Sequence, residues 1–235
     1  MKESNWIGFL PFYLLTVILF VVIAQGGSNA VTAVKQNTPV YRDYRFVVDA
    51  GHGGVDGGAT SCTGVLESKI NLQIALKLND LMQFLGYETV MVRTTDTSIH
   101  TKGDSIAAQK VSDLKERVRI VNETENAVLI SIHQNTFSDS RYGGAQVFYG
   151  VKGNSQPLAS KIQTAFTETV NPGSNRKCKT SKGIYLMEHI ETMGVLIECG
   201  FLSNPQEEAK LRNSDYQNKL CCVIACTVTS YLSNT

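Results

Sequence analysis

The chain has 235 residues, 43% hydrophobic and 18% charged, with a formal net charge of +1. That length allows one sizeable domain or at most two small ones, and the composition is globular. The near-neutral balance, with no basic run, gives no reason to expect nucleic acid as a partner.

Residues 7–24 carry no charge and follow Met1-Lys2-Glu3-Ser4. Spanning a bilayer core takes about 20 apolar residues. The segment therefore fits either an uncleaved anchor or a signal-peptide core within residues 1–30, since small residues (Ala24, Gly26, Gly27, Ser28, Ala30) follow it. Either way the domain is expected outside the cytoplasmic membrane, secreted or anchored, with the membrane touched only through this segment. Residues 31–44 read as a polar linker and 45–235 as the folded domain.

A strand over 46–49 runs into the glycine-rich turn Gly51-His52-Gly53-Gly54, which places His52 at a strand's C-terminal end. Open α/β sheets keep their ligands at such ends. Apolar residues at helical spacing (Ile70, Ile74, Leu78, Leu81, Leu85) predict a helix over 67–85, stopped at Gly86. A strand over 87–93 follows, then a polar loop over 94–111 holding Asp96 and His100. A helix over 112–122 is expected to turn Leu114, Val118 and Val121 inward.

The apolar run 127–132 predicts a central strand leading into His133. Beyond it, strands are predicted over 144–149, 183–187 and 195–198, with a helix over 156–169 and a loop over 171–182. Pro205 suits the first position of a helical turn reaching Leu211, and Asp215 is placed to cap a last helix ending near Leu232. Strands alternating with helices give an α/β domain with a mostly parallel or mixed sheet.

Six cysteines sit at positions 62, 178, 199, 221, 222 and 226. The last three share one predicted helix, where bridging is geometrically poor, and small buried thiols are their expected state. Cys62 and Cys178 both fall in loops, and their pairing is left open.

Two strand-end histidines, His52 and His133, can converge with Glu67 at a helix start, because neighbouring strands lie only about 5 Å apart. Two imidazoles and one carboxylate make a three-ligand zinc site with a fourth position open to water. Glu198 follows three apolar strand residues, where a carboxylate is out of place unless it is paired or functional. A general base beside the metal is the role it fits.

The stretches Asp49-Ala50-Gly51-His52-Gly53-Gly54, Glu67 with Ile70-Asn71-Leu72, Ser131-Ile132-His133-Gln134-Asn135, and Glu198-Cys199-Gly200-Phe201-Leu202-Ser203-Asn204 occur in that order. In motif and order the chain resembles the zinc-dependent N-acetylmuramoyl-L-alanine amidases of the type-3 family over residues 45–232. Val92–Asp96 and Leu114–Asn122 look like that family's connecting segments. The resemblance implies a single α/β domain with a mostly parallel, roughly six-stranded sheet flanked by helices. It implies that His52, Glu67 and His133 hold Zn2+ and that Glu198 is the catalytic carboxylate. Asn135, two residues past a ligand, is expected to orient the site from behind.

The implied substrate is peptidoglycan, at the amide between the lactyl group of muramic acid and L-alanine. A bare catalytic domain behind one hydrophobic segment resembles the spore-cortex, germination-specific branch. There stem peptides are removed so that muramic δ-lactam can form, which would place the protein in the forespore intermembrane space. Lacking a wall-binding module, the chain is also expected to use a separate activating or localising protein. Two other readings stay open: an inactive wall-binding or regulatory protein, and a zinc peptidase cutting within the stem. Cys199 departs from the family's usual small or aliphatic residue, but its side chain should point away from that of Glu198.

Overall fold

The computed structural model describes residues 43–235, and the segment expected over 1–30 and all but the last two residues of the linker expected over 31–44 lie outside the described residues. No helix among the described residues is long and apolar enough to cross a membrane. Six strands, β1 (Arg45–Ala50), β2 (Glu88–Met91), β3 (Ala127–Asn135), β4 (Gln146–Tyr149), β5 (Lys179–Thr180) and β6 (Met193–Phe201), form one sheet in the order β2-β1-β3-β6-β4-β5. The pairings β1·β2, β1·β3 and β3·β6 are parallel, β4 runs antiparallel to β6, and β5 is parallel to β4. Among the described residues six helices flank it: α1 (Glu67–Phe84), α2 (Ile106–Glu123), α3 (Ser155–Thr169), α4 (Tyr185–His189), α5 (Pro205–Leu211) and α6 (Ser214–Leu232). This is the single α/β domain with a mostly parallel sheet that the sequence implies.

Side chains alternate between the two faces of a strand, so a sheet covered on both sides needs apolar residues at successive positions. Phe46, Val48, Ile130, Ile132 and Ile197 meet α1, α3 and α6 through Ile74, Leu78, Ile162, Phe166 and Ile224, all fully buried. On the other face Val47, Leu129 and Leu196 pack with Val121 of α2 and Leu186 and Met187 of α4. Fully burying one such side chain contributes about 1.5–3 kcal/mol, so the two clusters dominate the stability of the sheet.

Four local expectations are corrected. Residues 183–187 do not form a strand; Tyr185–His189 is a short helix. A short apolar run fits either element, and here Leu186 and Met187 are both buried on the sheet, which a helical turn allows. The helix expected from Ser112 starts at Ile106 instead, with Ser105 Oγ accepting from Ala108 N at 3.2 Å. Its first turns are solvent-facing, with Ile106 59% and Val111 51% exposed, so they carry no inward pattern. Its buried positions are Ser112, Asp113, Arg117 and Val121, while Leu114 and Val118 are half-buried. Asn213, not Asp215, caps α6, accepting from the amides of Asp215 and Tyr216. Leu85 is exposed just past α1, and Met82 occupies the buried position in its place.

Candidate active site

The glycine-rich turn after β1 is bound to the start of α1 by backbone. Glu67 N donates to Ala59 O at 2.8 Å and Ser68 N to Gly57 O at 3.1 Å, so the loop's carbonyls satisfy amides that a helix start leaves orphaned. Glu67 Oε2 in turn accepts from Ala59 N at 3.0 Å. His52 has φ 61°, the left-handed region, where a non-glycine residue costs about 1–3 kcal/mol and persists only when its surroundings fix it. Two buried arginines do so. Arg117 donates to His52 O and Ala50 O, and Arg93 donates to Gly51 O, Ala50 O and Ser68 O, all within 3.0 Å.

At Gly51 and Gly58 the turn has no room for a side chain beside the site residues. A Cβ on Gly51 would lie 2.1 Å from His133 Nε2. One on Gly58 would lie 2.6 Å from Glu67 Oε2 and 2.7 Å from His52 Cδ2, at φ 68°. Both glycines are needed for this approach of backbone to side chains.

The three residues converge. His52 Nε2 is 3.3 Å from Glu67 Oε2, and His133 Nδ1 is 3.1 Å from Glu67 Oε1. One ligand atom from each lies within 4.8 Å of the others, the only such His/Cys/Asp/Glu group among the described residues. The parallel register sets Glu198 beside His133. Glu198 Oε2 is buried and has no hydrogen-bond partner, while Cys199 next to it points into the opposite core. A cavity of about 180 Å³ on this face is lined by His52, His133, Asp56, Lys110, Leu114 and Leu196, among others.

Burial opposes charge on His52, but hydrogen bonds and charge from Glu67 and Asp56 outweigh it and raise the imidazole to about 9. Burial likewise opposes ionisation of Glu67, yet His133 and His52 hold its carboxyl far below the usual range. Burial, helped by the charge of Glu67, outweighs the pull of His133 and His52 on Glu198, whose Oε2 makes no hydrogen bond, and pushes it up to about 7. Two adjacent carboxylates thus differ in proton affinity because one is paired and the other is not.

Asp56, Asn71 and Gln134 complete the site, and their sequence spacing gave no sign of it. Asp56 Oδ2 lies 2.9 Å from His52 Nδ1, and Lys110 Nζ lies 2.8 Å from Asp56 Oδ1. Asn71 Nδ2 and Gln134 N both donate to Glu67 Oε1, at 3.2 and 3.1 Å. Asn135 Oδ1 accepts from Thr136 N at 2.7 Å. His100 pairs with Ser98 Oγ at 2.8 Å, and the exposed His189 stacks on Tyr185. All six cysteines are free thiols, Cys62 and Cys178 included.

This arrangement fits a zinc ion by the chemistry of its donors: two imidazoles and one carboxylate face one point, beside an unpartnered carboxyl. Residues 46–230 match the model of the amidase-3 family, described as N-acetylmuramoyl-L-alanine amidase. The germination-specific N-acetylmuramoyl-L-alanine amidase of Bacillus subtilis (strain 168) is 32% identical over 234 residues, 99% of this chain and 96% of that one. The CwlD amidase from Clostridioides difficile, solved in complex with the GerS lipoprotein, superposes with a TM-score of 0.78 at 34% identity, covering 82% of this chain and 100% of that one. The catalytic domain of CwlV, an N-acetylmuramoyl-L-alanine amidase from Bacillus (Paenibacillus) polymyxa var. colistinus, gives 0.69 at 29% identity, covering 80% and 98%. With a family match across the whole sheet and near full-length relatives, the chain belongs to the amidase-3 family of hydrolases, the N-acetylmuramoyl-L-alanine amidases.

Proposed function

We propose that this chain hydrolyses the amide between the lactyl group of N-acetylmuramic acid and L-alanine in peptidoglycan, with zinc held by His52, Glu67 and His133. The observation that carries this is the pairing of that three-ligand cluster with Glu198, whose buried Oε2 has no partner of its own. Zinc bound there supplies Lewis acidity toward the scissile carbonyl and the attacking water. Glu198 accepts the water's proton as the carbon–oxygen bond forms. It returns that proton to the L-alanine nitrogen as the carbon–nitrogen bond breaks, so one carboxyl serves both steps. His52 and Glu67 stay fixed, because Asp56, Asn71, Gln134 N and Ala59 N hold them from behind.

The substrate places the work on the outer side of the cytoplasmic membrane. Its similarity to the germination-specific amidase supports a part in spore-cortex maturation, clearing stem peptides ahead of muramic δ-lactam formation. Similarity to an amidase solved with a lipoprotein supports a separate protein partner for this one. The four site residues are all present and assembled, which disfavours an inactive wall-binding protein.

The test is the full chain with zinc on purified peptidoglycan, products read by mass spectrometry, beside Glu198→Ala. Intact stem peptides with a free L-alanine amine, absent with the variant, are expected. Cleavage inside the stem would replace the amidase by a peptidase.

A further inference from the structure

Beyond His133 the chain leaves β3 through residues 136–145 and returns as β4. Two aromatic side chains in this loop stand open: Phe137 and Tyr142 are each 50% exposed, with ring centroids 4.6 Å apart and planes tilted at 57°. Apolar surface left in water at a fixed position marks a contact site more often than an isolated exposed residue does.

The pair is held in place. Phe137 N donates to Ser203 Oγ at 3.0 Å, and Asn204 Nδ2 donates to Tyr142 O at 3.2 Å. The Glu207 carboxylate accepts from Gly144 N at 2.6 Å and from Phe201 N at 2.8 Å. These partners belong to the segment that follows Glu198. Because β4 is antiparallel to β6 with Gln146 opposite Glu198, the whole loop lies at the end of the sheet that carries the candidate site. Phe137 is four positions along the chain from His133, at most about 13 Å of extended chain.

We propose that Phe137 and Tyr142 form a saccharide subsite, taking the pyranose rings of the glycan strand that carries the amide to be cut. The proposal rests on the amidase reading. The scissile bond hangs from a sugar, so a sugar ring must lie beside the site when the bond is aligned. A pyranose presents an apolar C–H face edged by hydroxyls, and this loop presents the complement. The same loop carries the exposed Arg141, paired with Asp139 at 2.7 Å, together with its two aromatic rings. A stem peptide of charged and small residues offers these rings no flat apolar face.

The experiment compares wild type with F137A/Y142A in the full chain. The first readout needs no turnover: co-sedimentation with insoluble glycan strands stripped of stem peptides. Wild type is expected to pellet with the strands and the double variant to lose roughly tenfold in affinity. The ring-preserving F137Y/Y142F is expected to bind as wild type does. The second readout is hydrolysis. KM on long strands is expected to rise with kcat nearly kept, and by clearly more than KM on a single-sugar muramoyl peptide, which offers the rings only one pyranose.

Equal sedimentation of wild type and F137A/Y142A would overturn the subsite. So would equal losses on long and single-sugar substrates, since the rings would then serve the fold or the reaction itself. Cleavage within the stem by wild type would defeat the amidase reading yet leave the sedimentation result to decide the subsite.

Discussion

His52 is held from both sides: Asp56 Oδ2 lies 2.9 Å from its Nδ1 and Glu67 Oε2 lies 3.3 Å from its Nε2. With Asp56 accepting at Nδ1, the neutral ring keeps its proton there and turns Nε2 toward the cluster. Burial opposes ionisation of Asp56, but hydrogen bonds from Lys110 and His52 outweigh it and keep it anionic. Asp56→Asn should therefore weaken zinc binding about 10- to 100-fold. Lys110→Ala should do so by less, because the half-exposed ammonium only steadies the carboxylate. Chelator competition measures both, and unchanged affinity in Asp56→Asn would remove this positioning role.

Glu198→Gln separates chemistry from architecture. Losing a proton carrier costs about 10²–10⁴ in rate. Since Glu198 Oε2 bonds to nothing in the fold, the thermal midpoint should hold or rise. Zinc stoichiometry should remain that of wild type, because Glu198 is not one of the clustered ligands. A lower melting temperature or lost zinc would show that the carboxyl is structural.

How much of this was legible in the sequence varied with the physics behind each residue. His52, Glu67, His133 and Glu198 stood out because chain order puts them at a helix start or toward the C-terminal ends of strands, although β3 and β6 run on past His133 and Glu198. Asp56 did not, since an aspartate four residues on among glycines is also an ordinary turn residue. Asn71 is a single polar position between Ile70 and Leu72, Gln134 is one of several polar residues after Ile132, and only the register of β3 against β1 and the approach of α1 show what they meet. The same limit hid α4. Ile184 to Met187 has too few residues to express either period, so tertiary packing decided its state. The start of α2 lacked any buried face to read, and its cap at Ser105 was the one local signal.

The cysteines should divide by environment. Burial pushes Cys221 up to about 12 and Cys199 higher still, so neither forms a thiolate near neutrality. Cys62, Cys222 and Cys226 are exposed. Native alkylation read by mass spectrometry should label these three and spare Cys199 and Cys221 until the chain is unfolded. Early labelling of Cys199 would mean that the β6 core opens beside the site.

The Asp49–Arg117 ion pair ties acid stability to the same turn. Burial disfavours the Asp49 charge, but Arg117 and the Ser131 hydroxyl, at 2.6 Å, overcome this and hold the carboxyl below its usual value. Because folding lowers this pKa, the unfolded chain takes up the proton first as pH falls. The stabilisation is whole above about pH 4 and is lost as pH drops through the folded value. Asp49→Asn leaves a buried guanidinium with only Asp113 as its carboxylate partner, and removing one partner of such a pair costs about 3–5 kcal/mol. Urea unfolding near neutral pH should show that loss, and the variant's stability should then fall less steeply than wild type's below about pH 4. Arg117 also donates to His52 O, so the variant should bind zinc more weakly even where it stays folded. Parallel acid profiles for the two proteins would place the acid sensitivity elsewhere in the chain.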